Sequence, residues 1–269
     1  MPRSRILKRA RELSGIDMML AGYTAACLLL GGASAAGALA NGFLQLAALA
    51  ILAVIAARAH APLPSSPSPL FWLLLGGLGV LCAIQFVPLP PVIWGALPGR
   101  AAILDGYRLM GIAAPWLPLS LAPDRAVGSV LALLPFLGSL FLAMRASTDG
   151  RVAFVWVTVA IACLSIGVGA IQLFSGGTSK LYFYGITNRH DAVGFFSNKN
   201  HLATLFLMTL PFIAALAARD EQSGRRRKTA RRPLYIGSFA FITFGAILNN
   251  SSAGLALLVP AIGANSRLA

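Results

Sequence analysis

The sequence predicts an all-α protein, a bundle of transmembrane helices, and its composition and the arrangement of its apolar residues lead to this prediction. Of the 269 residues, 57% are hydrophobic and 11% are charged, and the mean hydropathy is +0.76. Soluble domains carry about 25% charged residues. A helix needs about 20 mostly apolar residues to cross the hydrocarbon core, and the apolar residues here lie in such runs. We predict seven or eight spans in one transmembrane domain at 17–269, after a basic N-terminus at 1–16.

Apolar runs in chain order give the individual spans. The seven full spans are predicted at residues 17–36, 42–57, 70–87, 126–144, 152–174, 202–218 and 234–248. Proline cannot continue a helix, so the Pro/Ser-rich stretch 61–69 separates the second span from the third. An eighth run, 253–262, covers about 15 Å of a core that is about 30 Å thick. We therefore expect the chain to be truncated at its C-terminus.

Basic residues set the predicted orientation. If the N-terminus is cytoplasmic, 15 of the 22 Lys and Arg lie on the cytoplasmic side, seven of them in the loop 219–233. This distribution follows the positive-inside rule. It explains the net charge of +14 without a nucleic-acid partner, because the basic loops lack the interleaved aromatics of a nucleic-acid-binding module. The segments 88–125, with a helix predicted at 101–111, and 175–200 are then external.

The cysteines and the absence of several known motifs exclude other classes of site. Cys27, Cys82 and Cys163 all lie inside apolar runs, which is typical of small core residues and not of disulfides or metal ligands. The sequence contains no Walker motif, no GxSxG and no cluster with metal-ligand spacing. We expect no metal and no cofactor.

The strongest candidate site is the SNKNH segment, Ser197–His201, at the mouth of the sixth predicted span. Polar groups near membrane depth are costly unless they are satisfied or functional. The predicted external face also carries six cations, Arg100, Arg108, Arg125, Lys180, Arg189 and Lys199. Arg clamps phosphate oxygens and Lys supplies a point charge, so a lipid-linked phosphate or pyrophosphate fits this face. Trp94 and Trp116 in segment 88–125 suit the water–lipid boundary.

Simpler interpretations of the same residues stay open. Asn198 or Asn200 at a helix start is also the pattern of an N-cap. His201 is either a base or a boundary residue, and His190 beside Asp191 is either an oriented base or a solvated pair in a loop. Gln85 and Gln172 are the strongly polar side chains within the earlier spans.

Three motifs, in the same order, resemble those of the O-antigen ligase and polymerase-like membrane proteins. GFFSNKNHLA at Gly194–Ala203, followed by Pro211, resembles the family signature G-x-F-x-N-x-N-H-x-A…P. QFVPLP at Gln85–Pro90 resembles its Q-x-x-P-L-P, and LSLAPD at Leu119–Asp124 resembles its L-S-x-x-P lead into the next span. The resemblance covers about residues 80–255.

The resemblance implies a GT-C-like fold in the bacterial inner membrane and a role in lipopolysaccharide or other polysaccharide biosynthesis. Family members transfer a glycan from an undecaprenyl-pyrophosphate carrier to a glycan or lipid A-core acceptor, at the periplasmic face and without a metal. The implied substrate-binding residues fall into a cationic group for the pyrophosphate and a second group for the sugar. They are Lys199, Arg189 and Arg125 in the first group and Asn198, Asn200 and His201 in the second. No residue is assigned to the catalytic base.

The sequence departs from the family pattern in three places. Lys199 stands where the family usually has Arg, which keeps the charge and loses the bidentate fork. Ser252 stands where an S-R-x-G motif places its Arg. Family members continue with a large periplasmic loop that bears a catalytic His, and this chain ends before it. Two alternatives therefore remain, a non-catalytic membrane subunit with a partner chain, and a transporter of lipid-linked or polar solutes.

Overall fold

The computed structural model describes residues 13–32, 37–58, 67–222 and 228–265. Most of the predicted basic N-terminus, most of the Pro/Ser-rich stretch and the middle of the basic loop 219–233 lie outside these residues. The chain is 73% helical and 2% strand, which confirms the all-α prediction. The helices of the described residues are α1 Gly15–Leu30, α2 Ala38–Ala57, α3 Pro69–Ile84, α4 Pro91–Gly95, α5 Ala101–Leu109, α6 Pro123–Leu131, α7 Leu133–Arg145, α8 Thr148–Phe174, α9 Lys199–Gln222, α10 Lys228–Asn249 and α11 Ser252–Asn265.

Four stretches of helix are long and apolar enough to cross a membrane, and they indicate a membrane protein. They are Ala38–Ala57, Pro123–Arg145 (α6 with α7), Thr148–Phe174 and Lys199–Glu221. Three further apolar helices are shorter, Gly15–Leu30, Pro69–Ile84 and Ser252–Gly263. The predicted spans at 42–57, 126–144, 152–174 and 202–218 lie within the four long stretches. The count of seven or eight spans stays a prediction.

The chain divides into two compact units. One contains residues 1–64 and 137–269, and we call it the core unit; the other, residues 65–136, we call the insert unit. Helix α7 begins in the insert unit and ends in the core unit. The SNKNH segment belongs to the core unit.

In the core unit, helices α8, α9, α10 and α11 pack around one apolar cluster, and α1 runs along α8. Phe206 and Ile242 are 1% and 0% exposed in this cluster. Small residues let the helices approach closely, as is common in membrane bundles. A Cβ on Gly245 of α10 would lie 2.5 Å from Ile166 of α8, and one on Gly254 of α11 would lie 2.7 Å from Ala203 of α9.

One carboxylate joins the first turns of α1 and α8. Ser14 caps α1, and its N–H and hydroxyl both donate to Asp17 Oδ2, at 3.0 and 2.9 Å. Ser147, the N-cap of α8, donates its N–H to Asp17 Oδ1 and its hydroxyl to Asp17 Oδ2, both at 2.8 Å. Asp17 is 2% exposed, and these donors satisfy its buried charge.

The insert unit folds the segment that we predicted to be external. Strands β1 Pro88–Leu89 and β2 Leu117–Pro118 pair antiparallel, and the predicted helix at 101–111 is found as α5. Trp94 is fully buried and donates its indole N–H to the Pro115 carbonyl at 2.9 Å, so its ring packs inside the protein; Trp116 is 64% exposed.

Arg100 corrects the predicted cationic face. Its side chain is not accessible to an external anion, because the residue is 4% exposed. Its guanidinium donates to the carbonyl oxygens of Pro118, at 3.0 Å, and Leu119. Arg100 is therefore a structural residue that holds the β2 segment.

Candidate functional site

The SNKNH segment forms the start of α9, and the N–H groups of the first turn are hydrogen-bonded there. Asn198 Oδ1 accepts from the N–H of Asn200 at 2.8 Å, as an N-cap does. Asn188 Oδ1, from the preceding loop, accepts from the N–H of Lys199 at 3.1 Å. The N–H groups of His201 and Leu202 both donate to the Asn198 carbonyl, at 3.1 and 3.4 Å. All four N–H groups of the first turn are therefore used, so an anion here would be bound by side chains and not by the helix end.

Lys199 forms an ion pair across the loop. Its Nζ lies 3.1 Å from Asp191 Oδ1, and the two side chains are 30% and 31% exposed. The carboxylate orients the ammonium and leaves part of it open to solvent. Asp191 is thus the partner of Lys199, and its carboxylate makes no hydrogen bond or ion pair with His190 among the described residues. The oriented-base interpretation of His190 has no geometric support.

Two residues at the α10–α11 junction complete the site, and neither is among the predicted site residues. Ser251 donates its hydroxyl to Asn200 Oδ1 at 2.8 Å and accepts from the N–H of Gly254 at 3.1 Å. Asn249 Nδ2 donates to the carbonyls of Ala192 at 2.7 Å and Lys199 at 3.1 Å. Both side chains are buried, at 1% exposure or less. The signals in the sequence are the run of amides and hydroxyls that follows the apolar part of α10 and the stretch Ser251–Gly254, which was compared with S-R-x-G.

Gln172 explains how the loop before α9 holds its shape. This side chain is fully buried at the end of α8. Its amide nitrogen, Nε2, donates to the carbonyls of Leu181 and Gly194, at 2.8 and 2.9 Å. Its Oε1 accepts from the N–H groups of Val193 and Gly194, at 3.0 and 2.8 Å. Gln172, which the sequence placed in a span, therefore makes four hydrogen bonds to backbone groups. They use both hydrogens of its amide nitrogen and both lone pairs of its amide oxygen.

Arg189 and His190 lie on the exposed side of this loop. Arg189 donates to the Gly177 carbonyl at 3.3 Å, and its guanidinium lies 5.8 Å from the centre of the Tyr182 ring. His190 has a φ of 71°, and its ring covers Gly177 so closely that a Cβ there would lie 2.6 Å from it. Tyr182 places its hydroxyl 3.0 Å from the Asp191 carbonyl oxygen. Burial raises the pKa of the Tyr182 hydroxyl above its ordinary value, so it stays neutral.

The structure brings together five of the six predicted site residues. Four of them, Asn198, Lys199, Asn200 and His201, form the start of α9, and Arg189 lies in the adjoining loop. His201 and Asn200 are exposed. In the described part of the chain, the His201 ring and the amide nitrogens of the two asparagines make no hydrogen bond, so these groups can bind a ligand. Arg125 is exposed and belongs to the insert unit.

The described residues contain no group of three or more His, Cys, Asp or Glu that could hold a metal ion. Comparison with known protein families, with curated proteins and with solved structures gives no match. The function is therefore inferred from the residues of the site and from the way the fold arranges them.

Proposed function

We propose that this chain is a multi-pass protein of the bacterial inner membrane that binds an undecaprenyl-pyrophosphate-linked glycan at its periplasmic face. Its N-terminus is cytoplasmic in this proposal, as the distribution of Lys and Arg predicts. The observation that carries the proposal is the partly open ammonium of Lys199, held by Asp191 at the start of a helix long enough to span the membrane. A cation at the start of a membrane-spanning helix can contact the headgroup of a lipid whose tail lies along that helix.

The groups around Lys199 suit the two halves of such a ligand. Lys199 and the exposed Arg189 supply positive charge for the pyrophosphate. The free amide nitrogens of Asn198 and Asn200 are donors for sugar hydroxyls, and His201 is an exposed donor or acceptor beside them. The acidic group nearest to Lys199 is its own partner Asp191. The site thus combines a cationic side with an uncharged hydrogen-bonding side.

The reaction that fits this ligand is glycosyl transfer of the O-antigen ligase or polymerase type, on a GT-C-like fold. An acceptor hydroxyl of a glycan or of lipid A-core attacks the anomeric carbon, and the bond to the lipid pyrophosphate breaks. Negative charge then develops on the leaving pyrophosphate, and cations placed at that point lower the barrier. Lys199 and Arg189 have this role in the proposal. No described residue is assigned to the base that takes the proton of the hydroxyl.

A second candidate function is binding of the same ligand without catalysis, as a subunit of a polysaccharide assembly system. One observation favours it: Asp191, the carboxylate closest to the site, is engaged by Lys199, and His190 has no carboxylate partner among the described residues. A base with a partner to orient it is therefore not found at the site. A partner membrane chain would supply the base in this case.

Binding is the first experiment, because both candidates require it. The purified chain in lipid nanodiscs is titrated with an undecaprenyl-pyrophosphate-linked glycan. Lys199→Gln is expected to weaken binding about tenfold, since a charge-assisted contact contributes about 1.5–3 kcal/mol and this one is partly exposed. Lys180→Gln, which removes an exposed cation of the same segment, is the matched control and is expected to change binding less than twofold. Equal losses in the two variants would contradict the proposed site.

Glycan transfer then separates the two candidates. The chain is expressed in a strain that lacks its own O-antigen ligase, and transfer of glycan to lipid A-core is measured. Transfer that is lost in Lys199→Gln and kept in Lys180→Gln supports the enzyme. Binding without transfer, while a full-length ligase restores transfer in the same strain, supports the non-catalytic subunit.

A further inference from the structure

The insert unit contains an open cavity of about 400 Å³ between α3 and the stretch α6–α7. Its lining comes from the last turns of α3 and from one side of α6 and the start of α7. The lining residues are Leu81, Cys82, Gln85, Ala126, Ser129, Val130 and Leu133. Ligand sites have volumes of about 300–1,000 Å³, so the cavity is large enough for part of a small ligand.

The polarity of the cavity changes along the helices. Gln85, at the end of α3, borders the folded segment 88–121, and Ser129 lies in the second turn of α6. Leu81 and Leu133 are each four residues, about one helical turn, further from that segment than Gln85 and Ser129. Among the described residues, the Gln85 side chain makes no hydrogen bond; its backbone N–H donates to the Ala83 carbonyl, and its own carbonyl accepts from the N–H of Ser120 at 3.0 Å. An amphiphile with a polar end and an alkyl end matches this gradient.

Arg125 supplies a charge at the polar end. It precedes Ser129 by four residues, so the two lie on one face of α6, and Ser129 donates its hydroxyl to the Arg125 carbonyl at 3.1 Å. The other two cations of the described insert unit are occupied: Arg108 pairs with Asp105 at 3.0 Å, and Arg100 is buried against carbonyls. Arg125 is exposed and has no ion pair in the described part of this unit.

We propose that this cavity binds one acyl chain of an anionic phospholipid, with the lipid phosphate on the guanidinium of Arg125. Arg binds phosphate oxygens through a bidentate pair of N–H groups. A single cation matches a phospholipid with one net negative charge. A zwitterionic headgroup brings its own ammonium, and an isoprenyl pyrophosphate carries more charge than one Arg neutralises. Gln85 and Ser129 would then face the glycerol esters.

This inference goes beyond the proposed function and does not depend on it. It assigns Arg125 to a lipid of the bilayer, whereas the proposed glycan site consists of residues of the core unit. If one of the two proposals fails, the other is therefore not affected. The two experiments use different variants and different lipids.

Lipid preference of the full chain tests the proposal. The protein is purified in a neutral detergent, and native mass spectrometry counts phosphatidylglycerol and phosphatidylcholine of the same acyl chains. We expect one phosphatidylglycerol per chain, with a preference of about tenfold, the change that one charge-assisted contact of about 1.4 kcal/mol produces. Arg125→Gln is expected to abolish the preference. Arg108→Gln, an exposed Arg of the same unit, is the matched control and is expected to keep it.

The free volume of the cavity is tested with a lining residue. Ala126→Phe fills it and is expected to reduce binding of both lipids at least fivefold, whereas Ala83→Phe, on the exposed side of α3, is expected to leave binding unchanged. In a variant with Cys27 and Cys163 replaced by Ala, phosphatidylglycerol is expected to slow alkylation of Cys82 by a maleimide, and Arg125→Gln to remove this protection. The thiol assay also decides the matter if Ala126→Phe does not fold. Two binding results would overturn the proposal: equal binding of the two phospholipids by the unmodified chain, or equal losses in Arg125→Gln and Arg108→Gln. A preference for undecaprenyl phosphate over phosphatidylglycerol would also overturn it. So would alkylation of Cys82 that no lipid affects.

Discussion

Asn200 and Ser251, 51 positions apart in the sequence, are joined by a hydrogen bond of 2.8 Å from the serine hydroxyl to the amide oxygen. This contact fixes the Asn200 side chain, so that its amide nitrogen is the part left for a ligand. Ser251 also accepts from the N–H of Gly254 and so caps the first turn of α11. One hydroxyl thus supports both the candidate site and the packing of the helix that follows it.

Ser251→Ala should therefore weaken both stability and ligand binding. Loss of a cap and of a buried hydrogen bond is expected to cost about 1–2 kcal/mol of the free energy of unfolding. Ser252→Ala, at the exposed neighbouring position, is the control and should change stability by less than about 0.5 kcal/mol. Unfolding in detergent measures both variants, and titration with the lipid-linked glycan measures binding. A Ser251→Ala protein as stable as Ser252→Ala would show that the contact is not formed.

The sequence predicted the start of the site better than its surroundings. Asn198 and Lys199 follow from local rules, because an amide before an apolar run caps a helix at short range. The partners of Lys199 and Asn200 do not follow, since Asp191 and Ser251 reach them through the packing of the loop and of α11. Pairing across the fold depends on which helices become neighbours, and hydropathy does not determine this.

The fold shows the same division. Long apolar runs predicted the four membrane-length stretches, because length and composition alone decide whether a helix can span. They did not predict that Arg100 would be buried. Its guanidinium binds the carbonyls of Pro118 and Leu119, which come near only because β2 pairs with β1. A cation that looks solvent-exposed in the sequence is therefore a structural residue.

Gln172→Leu tests the support of the loop before α9. The substitution keeps the apolar stem and removes the amide that binds Leu181, Val193 and Gly194, so buried backbone groups lose their partners. Each such group costs about 1–3 kcal/mol, and we expect a loss of about 3 kcal/mol in unfolding free energy. Limited proteolysis should then cut the segment 175–198 faster. Gln85→Leu, whose side chain makes no hydrogen bond among the described residues, is expected to leave both measurements nearly unchanged; a similar loss there would contradict this interpretation.

The Tyr182 hydroxyl gives a dependence on alkaline pH. Burial raises the pKa of Tyr182 in the folded state above the value of about 10 in the unfolded chain. Because the raised pKa favours the protonated form in the fold, its contribution to stability is complete below about pH 10 and is lost as the pH rises through the folded-state pKa. Ultraviolet absorbance of tyrosinate, compared between the unmodified protein and Tyr182→Phe, should assign the late-titrating component to this residue. A Tyr182→Phe protein with the same titration curve would contradict the assignment.

Two glycines of α8 should respond to alanine in opposite directions. A Cβ on Gly150 would lie 2.0 Å from Asp17 Oδ1, whereas one on Gly167 would meet no atom within 4 Å. Gly167→Ala is expected to stabilise the protein by about 0.5–1 kcal/mol, because alanine loses less backbone entropy in a helix.

Gly150→Ala should displace the carboxylate that holds Ser14 and Ser147, and overpacking of this kind costs about 1–3 kcal/mol. Thermal unfolding of the two variants in the same detergent gives the sign of each change. The pair is informative because both variants exchange glycine for alanine in α8, and only the Cβ at position 150 meets Asp17. If Gly150→Ala were as stable as Gly167→Ala, Asp17 would not lie between the two helix starts.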